Sequence, residues 1–194
     1  MDFIVGVYFK LMGWQIVGNP QLQLKKGIWV VGPHTSIGDF FTGLALRHML
    51  PLKIGFLGKH TLFTWYSSWF FRALSCYPVD RTKTNNLVGA VVETFNQHDS
   101  IRIALAHEGT RKNVKNFKTG FYFIALEAKI PIVLAGFELK NRRAVFGPVI
   151  YPTGNYKEDM KPFYEFYSKL NAPKKDWVLA YEATGEIVEP TARK

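Results

Sequence analysis

The sequence predicts a single α/β domain with a largely parallel central sheet flanked by helices. Short apolar runs that are typical of buried strands, such as residues 28–31 and 101–106, alternate with segments of helical periodicity. Alternating strands and helices are typical of βαβ units, which build parallel sheets. The chain has 194 residues, of which 47% are hydrophobic, enough for one packed core. We therefore expect one domain over residues 1–194.

The composition is basic and rich in aromatic residues, which restricts the possible partners. There are 25 Lys and Arg against 15 Asp and Glu, and 15% of the residues are Phe, Trp or Tyr. A basic surface suits nucleic acid, anionic membranes or phosphorylated substrates, and Trp and Tyr favour the headgroup level of a bilayer. We expect an anionic phospholipid membrane surface as partner and no nucleic acid, because the basic residues are scattered and no nucleic-acid-binding motif occurs. The single cysteine, Cys76, excludes an intrachain disulfide and is consistent with a reducing cytosol.

Residues 1–20 form an apolar N-terminal segment. Residues 3–17 are apolar on nearly all sides and include Tyr8 and Trp14. Such a segment either packs in the core or lies in one leaflet with its aromatic side chains at the interface. We favour association with the membrane. Because the sequence has neither a run of 18 uncharged apolar residues nor a basic signal-peptide region, we expect a peripheral protein on the cytoplasmic face.

A histidine follows the first predicted strand. Gly32 and Pro33 stop the strand, and His34 comes next, at a strand exit of the kind where rigid scaffolds present chemistry. Asp39 follows after four intervening residues. Its carboxylate can hydrogen-bond one imidazole nitrogen and leave the other as a base, which is the orienting half of a catalytic triad. The alternative is a strand-end histidine beside an aspartate that caps a helix.

A second polar turn follows the predicted strand 101–106. Residues 108–111 read Glu-Gly-Thr-Arg, a tetrapeptide expected by chance in about one chain in several hundred. Together with His34 and Asp39, about seventy residues earlier, it resembles the glycerolipid acyltransferases, the 1-acylglycerol-3-phosphate acyltransferase family. The resemblance covers roughly residues 27–140 and implies a glycerol-phosphate acyltransferase-like fold.

The resemblance implies an O-acyltransferase. Such an enzyme moves a fatty acyl group from acyl-CoA or acyl-carrier protein, as co-substrate, to the hydroxyl of a lysophospholipid. The family default is 1-acylglycerol-3-phosphate (lysophosphatidic acid), which gives phosphatidic acid. His34 would take the proton from the hydroxyl while Asp39 holds the imidazole tautomer, so we expect no cofactor and no metal.

The resemblance also implies a phosphate site at the ends of other strands. Arg81 matches a family arginine that helps to hold the substrate phosphate, and Lys59 resembles a family lysine at a strand end. Guanidinium groups suit phosphate bidentately. The turn completes the phosphate-binding set with Glu108, Gly109, Thr110 and Arg111. Glu108 is expected to brace the turn, and Gly109 to let backbone amides approach the substrate.

Two further stretches are connected with the acyl chain. Pro131, in a strand predicted over residues 130–137, matches a family proline associated with acyl-chain binding. Residues 62–74 show helical spacing of five large residues: Leu62, Trp65, Tyr66, Trp69 and Phe70. We interpret each of them as part of a core-facing stripe, and we expect some to line an acyl channel or to touch lipid, because five exceed what one face needs.

Two alternative functions stay open. A lipid-binding protein that kept the fold would share the basic, aromatic composition without the chemistry. A metal hydrolase would use four ligands: His34, Asp39, His107 and Glu108. His107 stands where the family usually has proline, and we interpret it as structural or as a contact to the acceptor.

Overall fold

The computed structural model describes residues 7, 9–33, 42, 43, 45, 50, 53–73, 75–79, 87–109 and 113–190. They form one α/β domain on a seven-stranded sheet with the order β1-β7-β6-β2-β5-β3-β4. The strands are β1 (Gln15–Val17), β2 (Lys26–Gly32), β3 (Gly55–Lys59), β4 (Cys76–Val79), β5 (Ile101–Ala106), β6 (Ile132–Glu138) and β7 (Arg143–Ile150). The helices with described bounds are α1 (Ser68–Ala73), α2 (Leu87–Asn96), α3 (Gly120–Ala128), α4 (Tyr156–Lys169) and α5 (Asp176–Thr184).

The sheet is mostly parallel. β6, β2, β5, β3 and β4 all run in one direction. β7 returns antiparallel to β6, and β1 pairs in parallel with β7, so β1 runs opposite to β2. The predicted α/β class with a largely parallel sheet flanked by helices is confirmed.

The central strands are buried on both faces, which explains their continuous apolar sequences. Ile28 and Val30 of β2 belong to the larger core, which also takes buried side chains from α2 to α5. Trp29 lies between them in the chain and packs on the opposite face against Val133 of β6. Its indole Nε1 donates a hydrogen bond to the carbonyl of Pro20 at 3.2 Å. The segment before β2 is thereby held against this second face.

Two elements differ from the sequence prediction. β1 lies at the end of the apolar N-terminal segment, so residues 15–17 belong to the sheet. The sequence predicts a last helix over residues 159–170, which corresponds to α4, and α5 follows it as a further helix. Among the helices in the described part of the chain, none combines the length and apolar character that crossing a membrane requires.

The core-facing interpretation of residues 62–74 is wrong for four of its aromatic residues. Trp65 and Trp69 are 92% and 71% exposed, and Tyr66 and Phe70 are exposed as well. The segment forms a 3₁₀ turn over His60–Leu62 and then the six-residue helix α1, which buries none of its residues. Helical periodicity identifies an apolar surface but does not show what covers it.

Candidate active site

Four neighbouring parallel strands end at one edge of the sheet, termed here the carboxyl edge. β2 ends at Gly32, β5 at Ala106, β3 at Lys59 and β4 at Val79. The ends of β2 and β5 are nearly level, because Val31 pairs with Ala106, and those of β3 and β4 are level, because Lys59 pairs with Val79. The pairing of β3 with β5 aligns the two pairs of strands with each other. Ligands of open α/β sheets bind at the carboxyl ends of the strands. The topology therefore brings together the strand ends from which the predicted site segments begin.

Five of the predicted site residues fall outside the described residues: His34, Asp39, Arg81, Thr110 and Arg111. Their roles stay predictions. The described chain before them reaches the carboxyl edge in each case, since His34 follows Gly32 by two residues and Arg81 follows Val79 by two. Thr110 is the next residue in the sequence after Gly109, and Gly109 lies in the turn beyond β5.

Lys59 is the last residue of β3. Phe56 of this strand pairs with Ala104 of β5. Lys59 is three residues beyond Phe56, and His107 is three residues beyond Ala104. The backbone of Lys59 therefore lies level with the start of the turn that contains Glu108.

Gly109 fills a position in this turn that suits glycine for two reasons. Its φ is +64°, in the left-handed region that other residues rarely adopt, and its N–H donates to the carbonyl of Ala106 at 3.2 Å. A Cβ would also lie 3.1 Å from Cδ and Cε of Lys118. The backbone N–H of Lys118 donates to the carbonyl of His107 at 2.8 Å. The turn is thus tied to residue 118, at the end of the basic sequence 111–118.

Glu108 is buried together with a lysine from the C-terminal part of the chain. Its Oε2 lies 3.8 Å from Nζ of Lys175, and their side chains are 0% and 7% exposed. Lys175 directly precedes α5. Removing one partner of a buried ion pair leaves the other charge uncompensated. The pair therefore links the turn after β5 to the start of α5.

His107 is enclosed by aromatic rings. The centroid distances from its ring are 4.8–5.5 Å to Phe117, Phe163, Tyr167 and Trp177. Neither ring nitrogen has a hydrogen-bond partner within the described part of the chain. On its remaining side the ring packs against the end of β2, since a Cβ on Gly32 would lie 2.1 Å from its Cε1.

Burial keeps the His107 imidazole neutral. Burial lowers the pKa of His107 from 6.5 to about 3, the nearby Val31 backbone opposes this shift, and the charge of Lys175 lowers the pKa further. Nε2 is 3.9 Å from Oε1 of Glu108, beyond hydrogen-bonding distance. A neutral ring buried among aromatic side chains supports the structural interpretation of His107.

Tyr167 joins α4 to the two central strands beside His107. Its hydroxyl lies 2.9 Å from the carbonyl oxygen of Val30 and 3.1 Å from that of Ala135. Burial, the largest cause, raises the pKa of Tyr167 well above its ordinary value, and the nearby Glu108 carboxylate adds to this. The phenol therefore stays protonated and remains a hydrogen-bond donor.

Pro131 is not brought to the carboxyl edge. It directly precedes β6, and its carbonyl accepts a hydrogen bond from the N–H of Ile28 at 3.0 Å. Gly136, five residues farther along, pairs with Gly32 at the end of β2. Five residues of a strand span about 16 Å. Contact between Pro131 and an acyl chain stays a prediction, and it requires the chain to extend along the sheet.

The described ranges contain no group of three His, Cys, Asp or Glu side chains that is suited to hold a metal ion. Two of the four ligands of the metal-hydrolase alternative, His107 and Glu108, are described. One of them is enclosed by aromatic rings, and the other faces a buried lysine.

A mostly parallel sheet with polar turns at the carboxyl ends of neighbouring strands is typical of α/β enzymes. The family model described as Acyltransferase matches residues 14–137, more than half of the chain. The chain belongs to this family, and the resemblance to the glycerolipid acyltransferases is confirmed. No curated protein and no solved structure gives a significant match.

The family match ends within β6, at Phe137. β7, α4 and α5 lie beyond it. Lys175 and three of the rings around His107 therefore come from outside the matched region. No sequence motif indicates them, because their relation to the turn exists only in the folded chain.

Proposed function

We propose that this acyltransferase moves a fatty acyl group from acyl-CoA or acyl-carrier protein to the hydroxyl of a lysophospholipid. The acceptor we propose is 1-acylglycerol-3-phosphate, which would give phosphatidic acid. The reaction takes place at the cytoplasmic face of an anionic membrane, where the protein is peripheral, and it needs no cofactor. The observation that carries this proposal is the common carboxyl edge of β2 and β5, where Val31 pairs with Ala106. The segment that leads to His34 and the turn that begins the Glu-Gly-Thr-Arg motif start side by side there.

The proposed reaction uses His34 as general base. The acceptor hydroxyl attacks the carbonyl carbon of the acyl thioester, and its proton passes to the imidazole. The tetrahedral intermediate then collapses, the carbon–sulfur bond breaks, and the imidazolium returns the proton to the leaving thiol. Asp39 orients the imidazole and stabilises its positive charge. A positioned base contributes about 10²–10⁴-fold to the rate.

The acceptor phosphate is proposed to bind three cations, Lys59, Arg81 and Arg111. Charge-assisted hydrogen bonds of this kind are stronger than neutral ones, and arginine adds bidentate geometry. Glu108 is proposed to act by holding the turn, because its carboxylate faces the buried Lys175. Gly109 leaves room for the approach of the substrate to backbone N–H groups of the turn.

The proposal is tested by incubating the purified protein with lysophosphatidic acid and a long-chain acyl-CoA in detergent micelles. Mass spectrometry should detect phosphatidic acid together with an equal amount of free CoA. A panel with acyl-carrier protein as donor and other lysophospholipids as acceptors identifies the preferred pair. Absence of product across this panel would contradict acyl transfer to lysophospholipids and favour the lipid-binding alternative.

A matched pair of lysines tests the phosphate site within the same assay. Lys59→Met should raise the KM for the phosphorylated acceptor about 10- to 100-fold, because a charged hydrogen bond is lost. Lys53 is exposed and lies before β3, at the opposite edge of the sheet. Lys53→Met should leave KM unchanged. Equal KM values for Lys59→Met and Lys53→Met would show that Lys59 does not belong to the proposed phosphate site.

A further inference from the structure

The carboxyl edge carries large exposed apolar side chains beyond β3. The chain leaves β3 at Lys59, and a Cβ on Gly58 would lie 3.3 Å from the ring of Phe63, which keeps this segment next to the strand end. Trp65 and Tyr66 follow, 92% and 63% exposed. Their rings contact each other edge to face at a centroid distance of 5.7 Å. They therefore form one continuous surface, and Trp69 and Phe70 of α1, which are exposed and in contact with each other, follow a few residues later.

A second exposed apolar group lies at the other end of the same edge. β1 runs opposite to β2, so the chain enters it from the carboxyl edge. Arg142, in the turn between β6 and β7, donates through Nη1 to the carbonyl of Met12 at 2.6 Å. Leu11, next to Met12, is 82% exposed, and Leu139 of the same turn is exposed too. The residues before β1 and the β6–β7 turn thus present apolar side chains together.

The charge of these segments is uniformly positive. Residues 9–15, 60–73 and 139–143 contain no Asp or Glu. Their basic residues are Lys10, Arg72, Lys140, Arg142 and Arg143. Long basic side chains can lay their apolar stems along a hydrophobic phase while their charged groups reach the polar surface. Trp and Tyr favour the headgroup region, and Lys and Arg are attracted by anionic lipid.

The spacing of the two groups fits a plane better than a groove. The first group follows β3 and the second precedes β1, and these strands lie five places apart in the order of the sheet, so roughly 24 Å separate them at a strand spacing of about 4.8 Å. The ends of β2 and β5, where the proposed chemistry takes place, lie between them. A flat bilayer surface can contact both groups at once and bring its lipids to the strand ends in the middle.

We propose that the carboxyl edge is the face that docks on an anionic bilayer, with Trp65 and Tyr66 on one side of the site and Leu11 and Leu139 on the other. These side chains enter the headgroup region, and the basic residues among them contact anionic headgroups. The inference rests on the proposed function in one respect, since it takes the substrate of the site to be a membrane lipid. Docking itself is measured without the reaction.

The test is co-sedimentation of the full chain with vesicles of phosphatidylcholine and phosphatidylglycerol. Tyr66 and Tyr151 form a matched pair, because they are 63% and 64% exposed. Tyr151 directly follows β7, which ends at the opposite edge of the sheet. Tyr66→Ser should lower the vesicle partition coefficient about threefold or more, and Trp65→Ser with Tyr66→Ser about tenfold or more, since their apolar area then stays in water. Tyr151→Ser should leave the partition coefficient unchanged.

Two further readouts accompany the sedimentation. Thermal unfolding should be the same for all variants, because the substituted side chains are exposed. Tryptophan emission of the wild type should shift to shorter wavelength on anionic vesicles, and this shift should be reduced in a Trp65→Phe/Trp69→Phe variant, which keeps Trp14 near Leu11 of the second group. Trp29 and Trp177 are buried in the protein and do not contribute to the shift.

The inference would be overturned if the Trp65→Ser/Tyr66→Ser variant had the same vesicle partition coefficient as wild type. It would also be overturned if Tyr151→Ser lowered the partition coefficient as much as Tyr66→Ser does. Equal binding to vesicles of pure phosphatidylcholine would overturn the role of the basic residues. An acyl-transfer assay distinguishes docking from chemistry. The Trp65→Ser/Tyr66→Ser variant should transfer acyl groups more slowly than wild type to an acceptor embedded in vesicles. It should keep the wild-type rate with a short-chain acceptor that is dissolved as monomers. Vesicle binding through Trp65 and Tyr66 without any acyl transfer would support the inference and contradict the proposed function.

Discussion

At the scale of single residues, His107 and Glu108 are adjacent in one turn and accommodate burial in different ways. The imidazole of His107 stays neutral among four aromatic rings, with a pKa of about 3 caused mainly by burial. The carboxylate of Glu108 has Lys175 as a buried partner. Buried ionisable groups either lose their charge or find a counter-charge. The start of the Glu-Gly-Thr-Arg turn is therefore fixed from inside the protein.

The low pKa of His107 predicts a loss of stability in acid. Between pH 6.5 and about pH 3 the unfolded chain binds a proton at His107 that the folded chain does not bind. The free energy of unfolding should therefore fall as the pH falls through this window, by up to about 1.4 kcal/mol per pH unit from this residue. His107→Leu removes the titrating group and should flatten the slope. Urea unfolding at pH values from 7 to 4 measures this slope. Parallel plots of unfolding free energy against pH for wild type and His107→Leu would contradict a low pKa of His107.

The local conformation of individual residues was predictable only where a local motif determines it. The tetrapeptide at residues 108–111 indicates a turn after a strand, and Gly109 has the positive φ that such a turn needs. Lys175 has no local motif, because its partner is distant in the sequence. Proline at position 131 marks the start of a strand as readily as a binding site, and the structure places Pro131 at the amino end of β6.

At the scale of elements, α5 holds the turn through the residue that precedes it. Lys175→Met should destabilise the protein by about 3–5 kcal/mol, because the Glu108 charge stays buried without its lysine. Lys174 offers a matched control, since it pairs with Glu182 at the surface, with side chains 38% and 33% exposed. Lys174→Met should cost at most about 1 kcal/mol.

Denaturant unfolding of the two lysine variants provides this comparison. Glu108→Gln, introduced together with Lys175→Met, should restore part of the lost stability because a neutral amide is buried at lower cost than a carboxylate that has lost the charge of the lysine. Similar costs for Lys174→Met and Lys175→Met would show that the buried pair does not brace the turn.

The strands β2 to β7 were predictable as apolar runs over residues 28–31, 53–57, 75–79, 101–106, 130–137 and 144–151, whereas β1 and α5 were not. The predicted strands are apolar runs bounded by Gly, Pro or polar residues, and burial on both sheet faces requires such runs. β1 has three residues and lies inside a longer apolar stretch, so no boundary marks it. α5 buries only Trp177 and Val178 and shows no clear amphipathic pattern. Its place depends on packing against α4, which local sequence does not reveal.

The aromatic stretch at residues 62–74 illustrates the same limit for burial. Periodic large apolar residues predict one apolar face, and four of them do lie at the surface. The sequence cannot distinguish a face that is covered by protein from one that meets another apolar phase. The proposed contact with a bilayer explains both the pattern and the exposure.

At the scale of the whole molecule, the parallel sheet joins separate motifs into one edge. Polar segments that are far apart in the sequence follow β2 and β5, and the pairing of these strands brings the starts of the two segments side by side. The α/β class was sufficient to predict this gathering, because parallel strands share a carboxyl end. The distribution of exposed apolar side chains around that edge depends on the direction of β1 and on the path between β3 and β4, and it required the structure.

In the proposed mechanism, acyl transfer depends on His34. The most direct measurement compares phosphatidic acid formation by purified wild type, His34→Ala and His98→Ala. His98 lies beyond α2, before β5, and its Nδ1 is 2.9 Å from the carbonyl oxygen of Thr94. We predict that wild type and His98→Ala form product at similar rates and that His34→Ala is slower by about 10²–10⁴-fold. Product formation by His34→Ala at the wild-type rate would contradict the proposed general base.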